Sequence, residues 1–155
     1  MKDRLAYSAD NCSLMRTLEI VGERWTLLVL REALLGLRRF DDLQRALGCA
    51  RNVLASRLTK LVERGILERA PYREPGSRAR EEYRLTETGA ELTTAVVALM
   101  RWGDRHVADR AGAPLALRHR GWGKAIRAQL ACAVHGDVPP AEVEVRAGPG
   151  AKRVA

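Results

Sequence analysis

At 155 residues, 46% of them hydrophobic, the chain suits one domain with a real core and room for an appendage. Its longest apolar run, Ala95 to Met100, falls far short of the ~20 residues that cross a bilayer, as does the near-apolar Trp25 to Leu30, so no membrane partner is expected. A formal net charge of +8 points instead to a polyanionic partner.

The opening segment, "MKDRLAYSADNC", lacks the apolar stretch of a secretory signal, so the expected compartment is a reducing cytoplasm. The three cysteines, Cys12, Cys49 and Cys132, then read as thiols. The charge is unevenly spread: residues 38–80 hold eleven Arg or Lys against five Asp or Glu. Because 23 of the 27 cations are Arg, a bias that genome composition can produce, the clustering is informative and the choice of Arg is not.

In chain order, Leu14, Leu18 and Val21 form one stripe and predict a first helix over about 12–21, interrupted by Gly22. "RWTLLVLREALLG" is apolar nearly all round and reads as a central buried helix stopped by Gly36. "RRFDDLQRALG" gives a short helix with Phe40, Leu43 and Leu47 inward, and "ARNVLASRLTKLVERG" a longer one ended by Gly65. The face of that helix opposite Leu54, Leu58 and Leu61 carries Asn52, Ser56, Thr59 and Lys60, with Arg51 at its edge: short hydrogen-bonding groups and cations.

After Gly65, "ILERA" and "EEYRLT" alternate around the turn-rich basic loop "PYREPGSRAR", the pattern of a β-hairpin with a cationic tip. Either Thr86 or Thr88 can cap the next helix, Thr88 with Glu91 matching a capping box. That helix is expected over 88–108, a rod of roughly 31 Å with Leu92, Val96, Leu99 and Trp102 along one side. The domain bounds expected are an N-terminal arm over 1–10, a domain over 11–108, and a weakly structured appendage and tail over 109–155. Within the last, a small hairpin turns at Gly121 to Gly123, and "AEVEVRAGPGAKRVA" looks too polar to fold alone.

The order helix, helix, turn, helix, basic hairpin is that of a winged helix-turn-helix domain. The fold class expected is mainly α with a small β-hairpin, a long C-terminal dimerisation helix and a small C-terminal appendage. The second motif helix would enter the major groove, whose ~12 Å width admits it. There Asn52 can pair with adenine, Arg51 with guanine and Ser56 with either, with Thr59 beside them. Lys60 and Arg64 would reach phosphates, and Arg38 and Arg39 before the first motif helix join that set. Arg73, Arg78 and Arg80 at the hairpin would follow a neighbouring backbone or the minor groove, whereas Arg57, nearer the buried stripe, can equally brace the fold. A helix bearing Leu92, Val96, Leu99 and Trp102 at the edge of a small domain calls for a partner chain to cover it. Two-fold symmetry would set two recognition helices about one DNA turn, ~34 Å, apart on a palindromic site.

The chain also resembles the HxlR-type winged-helix transcriptional regulators of bacteria. The resemblance spans roughly residues 11–108 and rests on a Cys shortly before "LEIVGERWTLLVLREALLGLRRFDDLQRAL", then "NVLASRLTKLVERGILER", "YRLTETGAEL" and "RWGDR". It implies a homodimer assembled through the first and last helices, Leu14 and Leu18 joining Leu92, Val96, Leu99 and Trp102 at the interface. It also implies operator binding as repressor or activator and, in some members, a thiol near the start of the first helix that senses electrophiles or oxidants. Cys12 falls at that position, where the helix dipole would favour thiolate. A small-molecule effector is left open. Ala50 stands where the family often carries a Ser or Thr cap, which puts that helix's N-terminal capping in doubt.

The remaining residues read more plainly. Cys49 is small buried filler, His106 a surface or interface residue, and Trp25 and Trp102 core and interface anchors. Cys132, His135 and His119 have the spacing of a zinc ribbon, but Trp122 occupies the fourth position, so no metal is expected and Trp122 packing is expected in its place. No cofactor motif, phosphate loop or catalytic triad stands out, and no enzyme is expected; a Cys-His enzyme would lose turnover on Cys132→Ala. The alternative to operator binding is a winged-helix module for protein interaction or RNA binding, which would show no preference for a palindrome.

Overall fold

The computed structural model describes residues 4–74, 76 and 78–154. Met1 to Asp3 of the expected arm, Pro75 and Ser77 of the expected hairpin tip, and Ala155 lie outside the described residues. The helices are α1 (Ser13–Val21), α2 (Arg24–Leu34), α3 (Phe40–Leu47) and α4 (Arg51–Glu63), followed by strands β1 (Leu67–Tyr72) and β2 (Arg80–Leu85). Then come α5 (Glu87–Glu91), α6 (Thr93–His106) and the short strands β3 (Ala131–Cys132) and β4 (Gly136–Asp137). Among the described residues, no helix is long and apolar enough to cross a membrane.

Packing converges on α2 and α4. Val29 and Leu30 of α2, Leu43 of α3, and Leu54, Leu58 and Leu61 of α4 form one buried cluster with Ile66, Leu67 and Val96. Leu54, Leu58 and Leu61 are each 0% exposed, and each such burial contributes about 1.5–3 kcal/mol. The turn between α3 and α4 is set by Gly48, whose φ of 64° is the left-handed conformation that ends α3 with its N–H on the Gln44 carbonyl. Gln44 Nε2 then holds the Cys49 carbonyl at 3.3 Å, so the turn is fixed from both sides. As the residue at position 50 suggested, α4 starts without a side-chain cap: Ala50 is extended, with no side-chain hydrogen bond.

β1 and β2 pair antiparallel, from Leu67 against Leu85 to Tyr72 against Arg80. The Tyr83 N–H donates to the Arg38 carbonyl at 2.8 Å, which ties the hairpin to the chain entering α3. Thr86, of the two capping candidates, is the one used: its hydroxyl accepts from the Gly89 N–H at 3.0 Å and donates to the Gly65 carbonyl at 2.6 Å. A Cβ on Gly89 would stand 2.1 Å from the Ile66 carbonyl oxygen, so only glycine allows the helix start to press against the end of α4 and β1.

The single helix expected over 88–108 is divided. α5 and α6 are separated at Leu92, whose N–H reaches back three residues to Gly89 at 3.2 Å, a tight 3₁₀ step. α6 alone is 14 residues, roughly 21 Å. Its Val96 also departs from the expected outward stripe: at 7% exposure it belongs to the core, and Leu92 packs against that core.

In the C-terminal segment, the turn expected at Gly121 to Gly123 is present, with the His119 N–H on the Lys124 carbonyl at 2.7 Å. The β3–β4 pair adds a second hairpin that periodicity did not reveal. Residues 150–154 do not fold alone but return along the N-terminal arm: Ser8 N–H donates to Lys152 and Val154 N–H to Ala6, both at 2.9 Å. Arg101 Nη2 donates to the Ile126 carbonyl at 3.1 Å and so ties this segment to α6.

Candidate nucleic-acid interface

With Leu54, Leu58 and Leu61 fixed inward, helical geometry leaves Asn52, Ser56 and Thr59 outward, and all three are exposed. Arg51 and Arg64 are exposed at the two ends of α4. Arg51 lies over the Phe40 ring, 4.7 Å from its centroid, with Nη1 3.0 Å from Asp41 Oδ1, so it is oriented by α3 while its edge remains open.

The other two cations of α4 face elsewhere. Arg57 takes both oxygens of Glu23, one at 3.0 Å from Nη1, and its side chain is half-buried. Sequence spacing left Arg57 between bracing and contact; the structure gives it the bracing geometry. Lys60, expected toward phosphates, donates to the Glu19 carbonyl at 2.8 Å and lies 3.5 Å from Glu23. Glu23 precedes α2 and Glu19 belongs to the last turns of α1, so this clamp joins α4 to α1 and α2. No sequence signal announced it, because Arg57 and Glu23 are 34 residues apart.

The wing supplies a second basic strip. Arg39 stacks over Tyr72 at 4.6 Å and pairs with Glu74 at 2.5 Å. Desolvation works against the Arg39 charge, but Glu74, together with Tyr72 and Asp42, outweighs it and leaves the guanidinium pKa raised. Arg38 lies 3.8 Å from the buried Glu82, which also accepts from Arg84 Nε at 2.6 Å. Arg73, Arg78 and Arg80 are exposed on the hairpin. Tyr72 was missed from sequence; an aromatic next to a basic loop was the available sign.

A different surface lies across α1 and α6. Leu14, Leu18, Leu99 and Trp102 are 50–66% exposed, and Met15, not singled out from sequence, joins them. Leu14, Leu18 and Leu99 edge a groove of about 360 Å³ that Leu27, Leu30 and Ala95 also line. Trp102 packs on His106 with ring centroids 5.1 Å apart.

Of the thiols, Cys49 is buried. Cys12 precedes α1 and is half-buried, in a cleft of about 430 Å³ formed with Tyr7, Asn11 and the tail around Gly148. His119 and Trp122 meet edge to face at 6.1 Å. Among the described residues, no group of three or more His, Cys, Asp or Glu side chains is arranged to hold a metal ion.

The α3–turn–α4 unit with its β1–β2 wing defines a winged helix-turn-helix protein. The profile of the HxlR-like helix-turn-helix family matches residues 20–111. The HTH-type transcriptional regulator MT3179 of Mycobacterium tuberculosis is 45% identical over 149 residues, covering 96% of this chain and 93% of that protein. Among solved structures, PA1607, a candidate transcription factor, superposes with a TM-score of 0.77 at 31% identity, covering 88% of this chain and 95% of the other. The oxidised form of the redox regulator HypR matches with a TM-score of 0.56 at 26% identity, over 63% of this chain and all of that one. The chain belongs to the HxlR-like helix-turn-helix family, and it is a transcriptional regulator of the winged-helix type.

Proposed function

We propose that the chain acts as a homodimer on a palindromic DNA operator, with α4 in the major groove and the β1–β2 wing along the flanking backbone. The observation that carries this reading is the division of α4: three leucines with no exposure on one side, Asn52, Ser56 and Thr59 fully presented on the other. Short amide and hydroxyl groups match the donor and acceptor edges of bases, which the major groove displays without ambiguity.

Asn52 and Arg51 specify bases in this reading, with Ser56 and Thr59 beside them. Arg64, Arg38, Arg39, Arg73, Arg78 and Arg80 meet phosphates, which fix register. Lys60 contributes by holding α4 against α1. The second copy covers the α1–α6 groove through Leu14, Leu18, Leu99 and Trp102, while Leu92 and Val96 back that surface from inside. Cys12 is the candidate thiol for a redox or electrophile signal; its position at the start of α1, and the similarity to a redox regulator, support the assignment. A small molecule in the adjacent cleft is the other form such a signal can take.

The test is binding selection from the source genome followed by titration of the recovered fragments. A palindromic consensus bound far more tightly than random duplex is the expected result. Equal affinity for all duplexes, or for RNA, would replace this reading with a non-specific module. For the thiol, diamide should release the wild type from its operator and leave Cys12→Ser bound; identical release of both would remove Cys12 from the mechanism.

A further inference from the structure

Between Asp109 and Asp137 the chain carries Arg110, Arg118, Arg120, Lys124 and Arg127 and no Asp or Glu. Three of these cations sit on one hairpin, beyond the matched family region of residues 20–111. Arg118 bridges Ala125, the Ile126 N–H donates to the Leu117 carbonyl at 3.2 Å, and Gly121 and Gly123 close the turn with φ of 84° and 65°. Arg101 of α6 holds the base of the hairpin through the Ile126 carbonyl. Leu117 and Ile126 are half-buried, whereas Arg118, Arg120 and Lys124 are exposed. Among the described residues, no carboxylate pairs with these three cations. Trp122, at the tip, meets His119 edge to face yet is 78% exposed, so it does not fill the interior of this segment. Its ring, with His119, Lys124, Ala125 and Ile126, lines a shallow hollow of about 460 Å³.

From this arrangement we infer that the hairpin over residues 117–126 is a binding surface for single-stranded nucleic acid, with one unpaired base on Trp122 and the neighbouring phosphates on Arg118, Arg120 and Lys124. Unpaired cations attract any polyanion, and the bare aromatic face selects among polyanions. In a duplex the bases are already stacked on one another, so a duplex backbone would use the cations and leave the indole idle. An unpaired strand offers a base face and phosphates together. A lipid surface calls for several apolar side chains at the tip, whereas here Gly121 and Gly123 flank a single tryptophan. The inference goes beyond the operator reading and does not depend on it, because it uses none of the α4 or wing residues.

The probe is a fluorescein-labelled oligothymidylate of about twelve nucleotides, within the span such surfaces cover, titrated with the full chain and followed by anisotropy. Trp122→Ala should weaken binding about tenfold, the loss of one stacked base, while Trp122→Phe keeps most of the affinity. Arg120→Ala with Lys124→Ala should flatten the dependence on salt. A random duplex of the same length, and the selected palindrome, should bind wild type and Trp122→Ala equally. Asn52→Ala should bind the oligothymidylate as wild type does, so the operator reading can fail without this one. A larger loss with the oligouridylate counterpart would support the site and name RNA as its strand. Wild-type affinity of Trp122→Ala for both single strands would overturn the inference, as would an equal loss on the duplex. Trp122-dependent binding to vesicles of phosphatidylcholine and phosphatidylserine, with the oligonucleotides unaffected, would overturn it in favour of a membrane surface.

Discussion

Two helical surfaces of this molecule look alike in periodicity and differ in what they show to water. α4 buries its leucines completely and presents Asn52, Ser56 and Thr59, groups that water satisfies at no cost. The α1–α6 surface buries Val21 and Val96 yet still exposes Leu14, Leu18, Leu99 and Trp102. Each such side chain forgoes the roughly 25 cal/mol per Å² that covering it would return. The first surface is complete as a monomer and available to a polar ligand; the second is unfinished until something apolar covers it. An amphipathic pattern therefore tells only which side is inside, and the chemistry of the outer side tells what it awaits.

Mutations can break this contrast from either side. The largest effect on stability is expected from Leu58→Ala: urea unfolding should show a loss of about 2–5 kcal/mol, since the α4 leucines are wholly enclosed. Leu99→Asp should leave the fold intact, because its side chain is exposed, but convert dimer to monomer in sedimentation equilibrium. Operator affinity would then fall about 100-fold through lost bivalency; a dimer that survives this change would move the interface elsewhere. Asn52→Ala should cost ~1–3 kcal/mol on the operator and relax preference at one or two positions, with no change in melting.

Smaller effects sharpen the same comparison. Arg64→Ala should lower the slope of log affinity against log salt by ~0.9, the contribution of one phosphate. Lys60→Ala should leave that slope unchanged, because its ammonium is engaged by Glu19 and Glu23. The smallest change is Ala50→Ser, which supplies the missing cap and should stabilise the fold by ~0.5–1 kcal/mol in thermal or urea melts.

How much of this was legible depended on whether local chemistry or distant contact decided the matter. The helix expected over about 12–21 is α1 at Ser13–Val21, and Gly48 and Gly65 stop α3 and α4 where their left-handed backbone requires it. The basic hairpin follows from alternation and turn residues alone. Misread features were those settled at long range. The step at Leu92 follows a helix start set at long range, where Thr86 donates to the Gly65 carbonyl, 21 residues earlier, and Gly89 packs against the Ile66 carbonyl. Lys60 and Arg57 were placed by Glu19 and Glu23 on other helices. The tail's return to the N-terminal arm uses backbone hydrogen bonds, for which side-chain composition carries no signal.

The central claim, that the outer side of α4 reads base edges, is tested most directly by a double-mutant cycle between Asn52 and a single adenine of the operator. Replacing that adenine by 7-deazaadenine removes its N7 acceptor from the major groove and leaves the rest of the pair intact. Wild-type protein should lose ~1–3 kcal/mol on that substitution and Asn52→Ala protein almost nothing further, giving a coupling energy close to the full loss. Additive losses at every adenine of the half-site would show that Asn52 does not read the groove.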